Sequence, residues 1–469
     1  MTSVADGTQR RFAVVLLALS LVLVEFLAGM QRYLSQTVLP LVAADLDGAD
    51  LYGPLDAAAQ APMFLMIPVG AWLLSRFRVG RLMVTFTLVT IAGAVLCATA
   101  QSMGAFIAGT AVRAFAAGAL ATIGMGAISR GLPPRYRQLV LAGLSGVWLF
   151  SSVLGPVYAV TVASALSWRW AMVAYLPLLL LARLMTARYM PERTEAVPAE
   201  RAPWGWAVVL AAGSAVLALP LGAWSALAVV LGAGLMLRAT AAVLPAGTFR
   251  ARDGRRAALG ALGVTAAVYF GATLVLSVVA HDAFGLEATR YGFVIAAPGL
   301  LWAVAALWTG THPAADLDAL RRRLHAGGAV VALGVAALLT TTLVADPGTP
   351  AFVGLLLGAA ASGLGMGTLY PDLLGRCLGE PSVDDGISQD RMAAAVVLAE
   401  SVGLALASTH AYTWLGSGLG LVDDPVLRAQ LLYAVLLPLA GVMVWRLSAA
   451  ARPGMPTVPS KSRGARRLR

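Results

Sequence analysis

Lysine is almost missing from this chain: of 34 basic residues only Lys461, near the C-terminal end, is a lysine. A GxxxxGK[ST] phosphate loop, a kinase and a pyridoxal Schiff base each need a lysine at a defined place. None can be assembled here, so the chain by itself is no ATP-driven pump. Cysteine is as scarce. Cys97 and Cys377 are expected at opposite ends of two different apolar runs, where they cannot meet as a disulfide, and no extracellular disulfide framework is present. The four histidines, His281, His312, His325 and His410, stand far apart without HExxH spacing or companion cysteines, so no metal site is expected. Charge is short as well. With 12% charged against 59% apolar residues and a mean hydropathy of +0.80, a soluble domain would have no polar surface to turn to water.

What remains is apolar runs between Gly, Pro and charged punctuation. A spanning helix needs roughly 20 apolar residues, and runs of that kind fall at 12–40, 53–74, 82–100, 104–129, 138–163, 169–187, 204–220, 222–243, 257–280, 290–311, 324–344, 350–375, 392–416 and 427–447. The predicted fold is an all-α polytopic membrane protein with about fourteen transmembrane helices. If both termini are cytoplasmic and the spans alternate, about 29 of the 34 basic residues fall on the inner side. They lie at Arg10 and Arg11, Arg76 to Arg81, Arg130 to Arg137, Arg183 to Arg201, Arg238 to Arg256, Arg321 to Arg323, Arg376, Arg391, and from Arg446 onward. The net charge of +11 therefore reads as topology and attraction to anionic lipid. A nucleic-acid partner is not expected, because the basic residues are spread over many loops.

Three short patterns invite other readings. QRRF at 9–12 before an apolar run is similar to a twin-arginine signal, but no cleavage site follows and the segment reads as an uncleaved anchor. GLGMGT at 363–368 fits part of a Gly-rich nucleotide loop, yet it lies inside an apolar span with no strand before it, so close helix packing is expected. GLSG at 143–146 fits an intramembrane serine protease, whose serine would need a histidine on a facing helix; the next histidine is His281, beyond the central linker.

The order of features from 113 to 177 is more specific. Arg113 stands in the apolar segment RAFAAGALAT, PPRYR follows at 133–137, Gly155-Pro156 breaks SSVLGPVYAV at 151–160, and SWRWAMVAYLP closes the series at 167–177. This succession resembles spans four to six of the major facilitator superfamily of membrane transporters. Six spans, the linker MPERTEAVPAERAP at 190–203, two spans joined around Pro220 to Gly222, and six further spans resemble the fourteen-span drug:proton antiporter branch. The resemblance implies an N-terminal six-helix bundle (1–189), a linker with two extra helices (190–256), a C-terminal six-helix bundle (257–449) and a basic tail (450–469), with a midplane cavity between the bundles.

The family's gate loop between spans two and three, GxLaDRxGR, is matched by GAWLLSRFRVGRLM at 70–83. It keeps Gly70, Arg76, Gly80 and Arg81 but has Leu74 or Ser75 for the acid. The equivalent loop of the second half, GTHPAADLDALRRR at 310–323, carries Asp316 and Asp318 beside Arg321 to Arg323. Gly155 and Pro156 stand in the antiporter signature GxxxGPxxGG, with Ser151, Ala159 and Val160 for its outer glycines. Gln31 stands where span one of the branch usually has an aspartate, ahead of SQTVLPLVAADL at 35–46.

An arginine at mid-membrane costs roughly 2.5 to 3.5 kcal/mol by insertion scales unless it faces protein, water or an acid. Glu25, half way along span one, is the expected partner of Arg113, and the pair is the candidate proton-coupling site. Phe26, Gln31, Arg32, Asp56, Trp148, Tyr158, Trp302 and Glu400 are expected to line the cavity; Tyr269 and Phe270 are further aromatic candidates. Arg32 and Asp56 can also reach headgroups. The function implied is proton-coupled export of hydrophobic or amphipathic small molecules, with an importer or facilitator on the same fold, or a non-transporting sensor or membrane enzyme, as alternatives. No cofactor is expected beyond the proton gradient. The expected partners are the small-molecule substrate, protons and the lipid bilayer, for a monomer in a bacterial inner membrane.

Overall fold

In hydrocarbon a backbone amide finds no water, so a segment of Ala, Leu and Val satisfies its N–H and C=O groups only by coiling on itself. The computed structural model of this chain follows that rule, with no strand among the described residues, which are 2–47, 52–190, 203–217, 224–286, 288–379, 386–417 and 422–452. The linker at 191–202, the turn at Pro220 to Gly222 and the tail beyond 452 lie outside them, as do the side chains of Arg32, Asp56, Trp148 and Pro156.

The first half comprises α1 (Thr2–Asp45), α2 (Tyr52–Met66), α3 (Gly70–Arg76), α4 (Val79–Ala98), α5 (Met103–Gly131), α6 (Pro134–Ala165), α7 (Trp168–Ala171) and α8 (Leu176–Tyr189). Two expected spans are broken helices. α2 and α3 are parted by a turn at 67–69, where Gly70 N–H reaches Ile67 O, and α7 ends four residues before α8 begins at Leu176. Next come α9 (Trp204–Leu217) and α10 (Ser225–Val243), which pack on each other. The second half is α11 (Gly254–Thr273), α12 (Leu276–Val278) with a π-helical turn at Val279–Ala283, α13 (Ala288–Thr311), α14 (Leu317–Val344), α15 (Thr349–Cys377), α16 (Gln389–Ser417) and α17 (Pro425–Ala450). Among the described residues nine helices are long and apolar enough to cross a membrane, and 204–216 and 227–243 are shorter apolar helices.

Within the first half α1 packs on α6 and α8, and α5 on α2 and α4; within the second α15 packs on α13 and α14, and α11 on α16 and α17. The halves meet where α6 lies on α13 and α5 on α16. α9 rests on α2 and α10 on α16, so the inserted pair touches both halves.

Small residues set these approaches. A Cβ on Gly363 would stand 2.1 Å from Pro298 O and one on Gly367 2.2 Å from Trp302 O, while one on Gly365 would stand 2.6 Å from Gly327 O. Two glycines of GLGMGT thus seat α13 and the third seats α14, the packing role expected of that string. Cys97 and Cys377 are both free and buried.

Candidate functional site

α1 and α5 run antiparallel, and their register decides which acid meets which base. Arg113 Nη2 donates to Ser35 Oγ at 3.2 Å, whereas Glu25 Oε1 would lie 3.3 Å from a Cβ on Gly124. Gly124 is eleven residues beyond Arg113, about 16 Å of helix rise. The expected pairing of Glu25 with Arg113 is therefore not made; Arg113 sits buried against Gly93, its Nε without a hydrogen-bond partner.

Glu25 couples electrostatically to Arg183 of α8 instead. Buried Thr186 Oγ1 meets Ser20 Oγ at 3.0 Å, which registers α8 against α1. One turn from each of these residues, in the same direction along the antiparallel pair, come Arg183 and Glu25. Arg183 is 4% exposed, and its Nε and Nη1 have no hydrogen-bond partner. Counting Arg183 with the basic loop residues is thus corrected: it lies inside the bundle. Its only sequence signal is the apolar run LLLLA on its N-terminal side. Ser151, the small residue opening the antiporter signature, donates to Phe26 O at 2.9 Å and holds α6 to α1 beside Glu25. Phe26 and Gln31 are half-buried on α1, and Gly155 is buried on α6.

In the second half the half-buried Glu400 of α16 accepts a hydrogen bond from Tyr370 Oη of α15, at 3.1 Å from each carboxylate oxygen. Tyr370 stands edge-on to Trp302 of α13 at 5.3 Å, and Trp302 edge-on to Tyr269 of α11 at 5.0 Å. Phe270 adjoins both Tyr269, at 5.2 Å, and Trp302, at 6.1 Å. Tyr370 had no role in the sequence reading.

Several expected residues do other work. Tyr158 Oη donates to Ala171 O at 3.1 Å and its ring meets Tyr175 edge-on, so it ties α6 to the end of α7 and the turn after it. In SWRWAMVAYLP, Trp168 Nε1 donates to Asp45 Oδ2 at 3.2 Å, Arg169 Nη1 reaches the same oxygen at 2.5 Å, and Arg169 Nη2 donates to Ala100 O at 2.9 Å. The string clamps the ends of α1 and α4, and these hydrogen bonds hold the exposed Asp45 carboxyl below its ordinary 3.8.

In the first gate loop Gly70 and Gly80 serve close approach, to Thr122 and to Ala187 O. Arg76 is exposed, with its guanidinium 5.9 Å from the Trp72 ring, and Arg81 is exposed. In the second, Asp316 caps α14 by accepting from Ala319 N–H at 2.7 Å. The acid that holds an arginine there is Asp372 of α15, which the sequence reading missed. Arg323 Nη1 donates to Asp372 Oδ2 and to His312 O, both at 2.7 Å, and Ala314 N–H reaches Asp372 Oδ1 at 3.4 Å. Its signal was an acid inside an apolar span, the rule that singled out Glu25 and Glu400. Across the halves, on the face carrying most of the arginines, Arg137 Nη1 donates to Leu378 O at 3.4 Å.

Two helical halves facing each other across an interior that holds ionisable side chains define a polytopic membrane transporter. Residues 21–375 match the Major Facilitator Superfamily, and the chain belongs to that family. It is similar to multidrug resistance protein 3 of Bacillus subtilis, 25% identical over 209 residues (45% of this chain, 40% of that protein). It is also similar to the efflux pump FUS6 of Gibberella fujikuroi, 29% identical over 221 residues (45% and 39%), and to the multidrug efflux pump SdrM of Staphylococcus aureus, 22% identical over 177 residues (37% and 39%). The chain thus spans about two fifths of the length of these relatives. In fold it resembles the proton:xylose symporter XylE, with a TM-score of 0.61 at 14% identity, covering 95% of this chain and 98% of the other. A bacterial homologue of the iron transporter ferroportin in an outward-facing state is similar to the same degree, with a TM-score of 0.62 at 14% identity and coverage of 92% and 99%.

Proposed function

We propose that this chain exports hydrophobic or amphipathic small molecules in exchange for protons, by alternating access. The observation that carries the reading is an acid and a base in the interior of the first half, half-buried Glu25 and buried Arg183, within electrostatic reach of each other, with Glu400 held by Tyr370 beside aromatic rings in the second half. The relatives named multidrug resistance protein 3 and SdrM support the substrate class. Protonation of Glu25 abolishes its attraction to Arg183, and that change in charge is what a proton cycle needs in order to bias one half against the other. Arg113 of α5, held by Ser35 of α1, contributes positive charge further along the pair of helices. The second half supplies the apolar wall on which substrate rests.

The arginine-rich face is the cytoplasmic one by the positive-inside rule, in the cytoplasmic membrane of a bacterium with both termini inside. On that assignment the hydrogen bond from Arg137 to Leu378 O closes the cytoplasmic side. The two bundles, 1–189 and 257–449, rock about the shared interior, and the pair of helices within 190–256 rides against both.

Proteoliposomes with an acid lumen and a luminal pH dye test the reading. Substrate added outside enters the lumen as protons leave, so luminal pH rises. Glu25→Gln abolishes that rise while the purified protein keeps its melting temperature; an undiminished rise in the variant removes Glu25 from the coupling.

A further inference from the structure

Where the inserted pair of helices hands the chain to the second half, a buried arginine fixes a short turn from within. Arg446 of α17 donates from Nη2 to Thr248 O at 2.9 Å and from Nη1 to Phe249 O and Ala251 O, both at 3.1 Å. Gly247 and Gly254 bracket the turn at φ 84° and 65°, values that a side chain would strain. Gly254 N–H reaches Arg452 O at 3.4 Å, so both ends are tied. With these carbonyls drawn inward, the side chains of Phe249, Arg250 and Arg252 are left exposed. Asp253, the acid beside them, stands within electrostatic reach of Arg376. Among the described residues Arg250 and Arg252 meet no carboxylate. Exposed Trp445, its ring 5.8 Å from the Arg446 guanidinium, joins the same spot, and exposed Val442 and Val435 continue its side of α17 into the apolar span.

We infer that this turn is a seat for the headgroup of an anionic phospholipid, with Arg250 and Arg252 on the phosphate, Phe249 and Trp445 at the glycerol level and the acyl chains along Val442 and Val435. The depth follows from the elements. The turn lies between the end of α10 and the start of α11, beside the last turns of α17, on the arginine-rich face. Arginines and aromatic rings together suit the boundary between headgroup and acyl chain, where anionic lipid concentrates positive side chains. A guanidinium offers a phosphate paired N–H donors in a fixed plane. Inorganic phosphate would satisfy the arginines and leave the rings and valines uncovered, whereas a phospholipid meets all of them. Because the backbone is already held by Arg446, binding costs little loop ordering. The seat goes beyond the transport reading and does not depend on it.

Native mass spectrometry on the detergent-purified full chain tests the seat, with dioleoylphosphatidylglycerol as the anionic probe and dioleoylphosphatidylcholine as its zwitterionic match. The wild type retains a first phosphatidylglycerol more tightly than any further copy and prefers it to phosphatidylcholine. Arg250→Gln combined with Arg252→Gln weakens that first affinity roughly thirtyfold. Arg135→Gln combined with Arg188→Gln, which removes two exposed charges from the same face, leaves it unchanged. Gly260→Ala weakens it with every surface charge in place, since a Cβ there would stand 2.1 Å from Arg446 Nη2 and displace the guanidinium. Equal retention of the two lipids, equal loss in the two double variants, no loss on removing Arg250 and Arg252, or displacement of the lipid by millimolar inorganic phosphate overturns the seat. Unmoved affinity in a folded Gly260→Ala overturns the holding role of Arg446. If Gly260→Ala does not fold, the comparison of the two double variants decides. No transport is measured, so this experiment and the Glu25 experiment fail independently.

Discussion

Arg183 shows how one side chain changes the reading of a site. Its aliphatic stem suits the apolar run around it, but its buried guanidinium with two unpartnered nitrogens needs a nearby negative charge to be tolerated, and Glu25 supplies it. If the pair couples protons, Arg183→Gln moves the pH profile of substrate-driven proton movement and Arg183→Lys, which keeps the charge, moves it much less. An unmoved profile in the glutamine variant assigns Arg183 to packing alone. At the opposite end of α1, Asp45 gives a pH prediction with a definite sign. Its carboxyl is held below the ordinary value by hydrogen bonds from Arg169 and Trp168. A depressed folded value means that the clamp stabilises the protein above the unfolded value and is lost as pH falls through the folded one. Asp45→Asn is therefore expected to melt below the wild type at neutral pH, and the gap should close below about pH 3.8. A gap that persists into strong acid assigns the effect to something other than the charge.

At the scale of the element, helices were legible, and how they seat on one another was not. The apolar runs fell on the observed rods because length and hydropathy suffice to select a helix in lipid. The break between α2 and α3 falls on Pro68, which has no N–H to continue the helix, while the seat of α3 on α5 rests on Gly70, where a Cβ would meet Thr122, a residue distant in sequence. The same physics makes glycines sensitive. Gly367→Val is expected to cost about 1–3 kcal/mol by forcing α13 off α15 at Trp302, read as lowered thermal stability in detergent. Asp372 binds the loop before α14 to α15 through Arg323 with both side chains largely buried. Removing one partner of such a pair leaves an uncompensated charge, so Asp372→Ala should destabilise by about 3 kcal/mol, measured by denaturation in detergent; a change near zero would mean that water reaches the pair.

For the whole molecule, the contact that matters is the one between halves. Arg137 donates across the interface to the carbonyl of Leu378, at the end of α15. Spin labels on α6 and α15 at that face should report a longer distance population in Arg137→Ala than in wild type, because a bond present in one state only biases the population toward it. An unchanged distribution would show that packing of α6 on α13 carries the closure alone.

The sequence by itself determined the solvent, the helical class and the family, because composition, hydropathy and the motif order from Arg113 to Pro177 are local properties that survive without a third dimension. It also picked out Glu25, Glu400 and Trp302, since an ionisable or amphipathic residue inside an apolar span is conspicuous along the chain. Only the tertiary structure decided which charges meet. The antiparallel register of α1 against α5 set Glu25 opposite Gly124 and sent Arg113 to Ser35, and the register against α8 brought up Arg183. Registers of this kind are fixed by side chains interlocking between helices far apart in sequence, so no spacing read along one helix could have contained them.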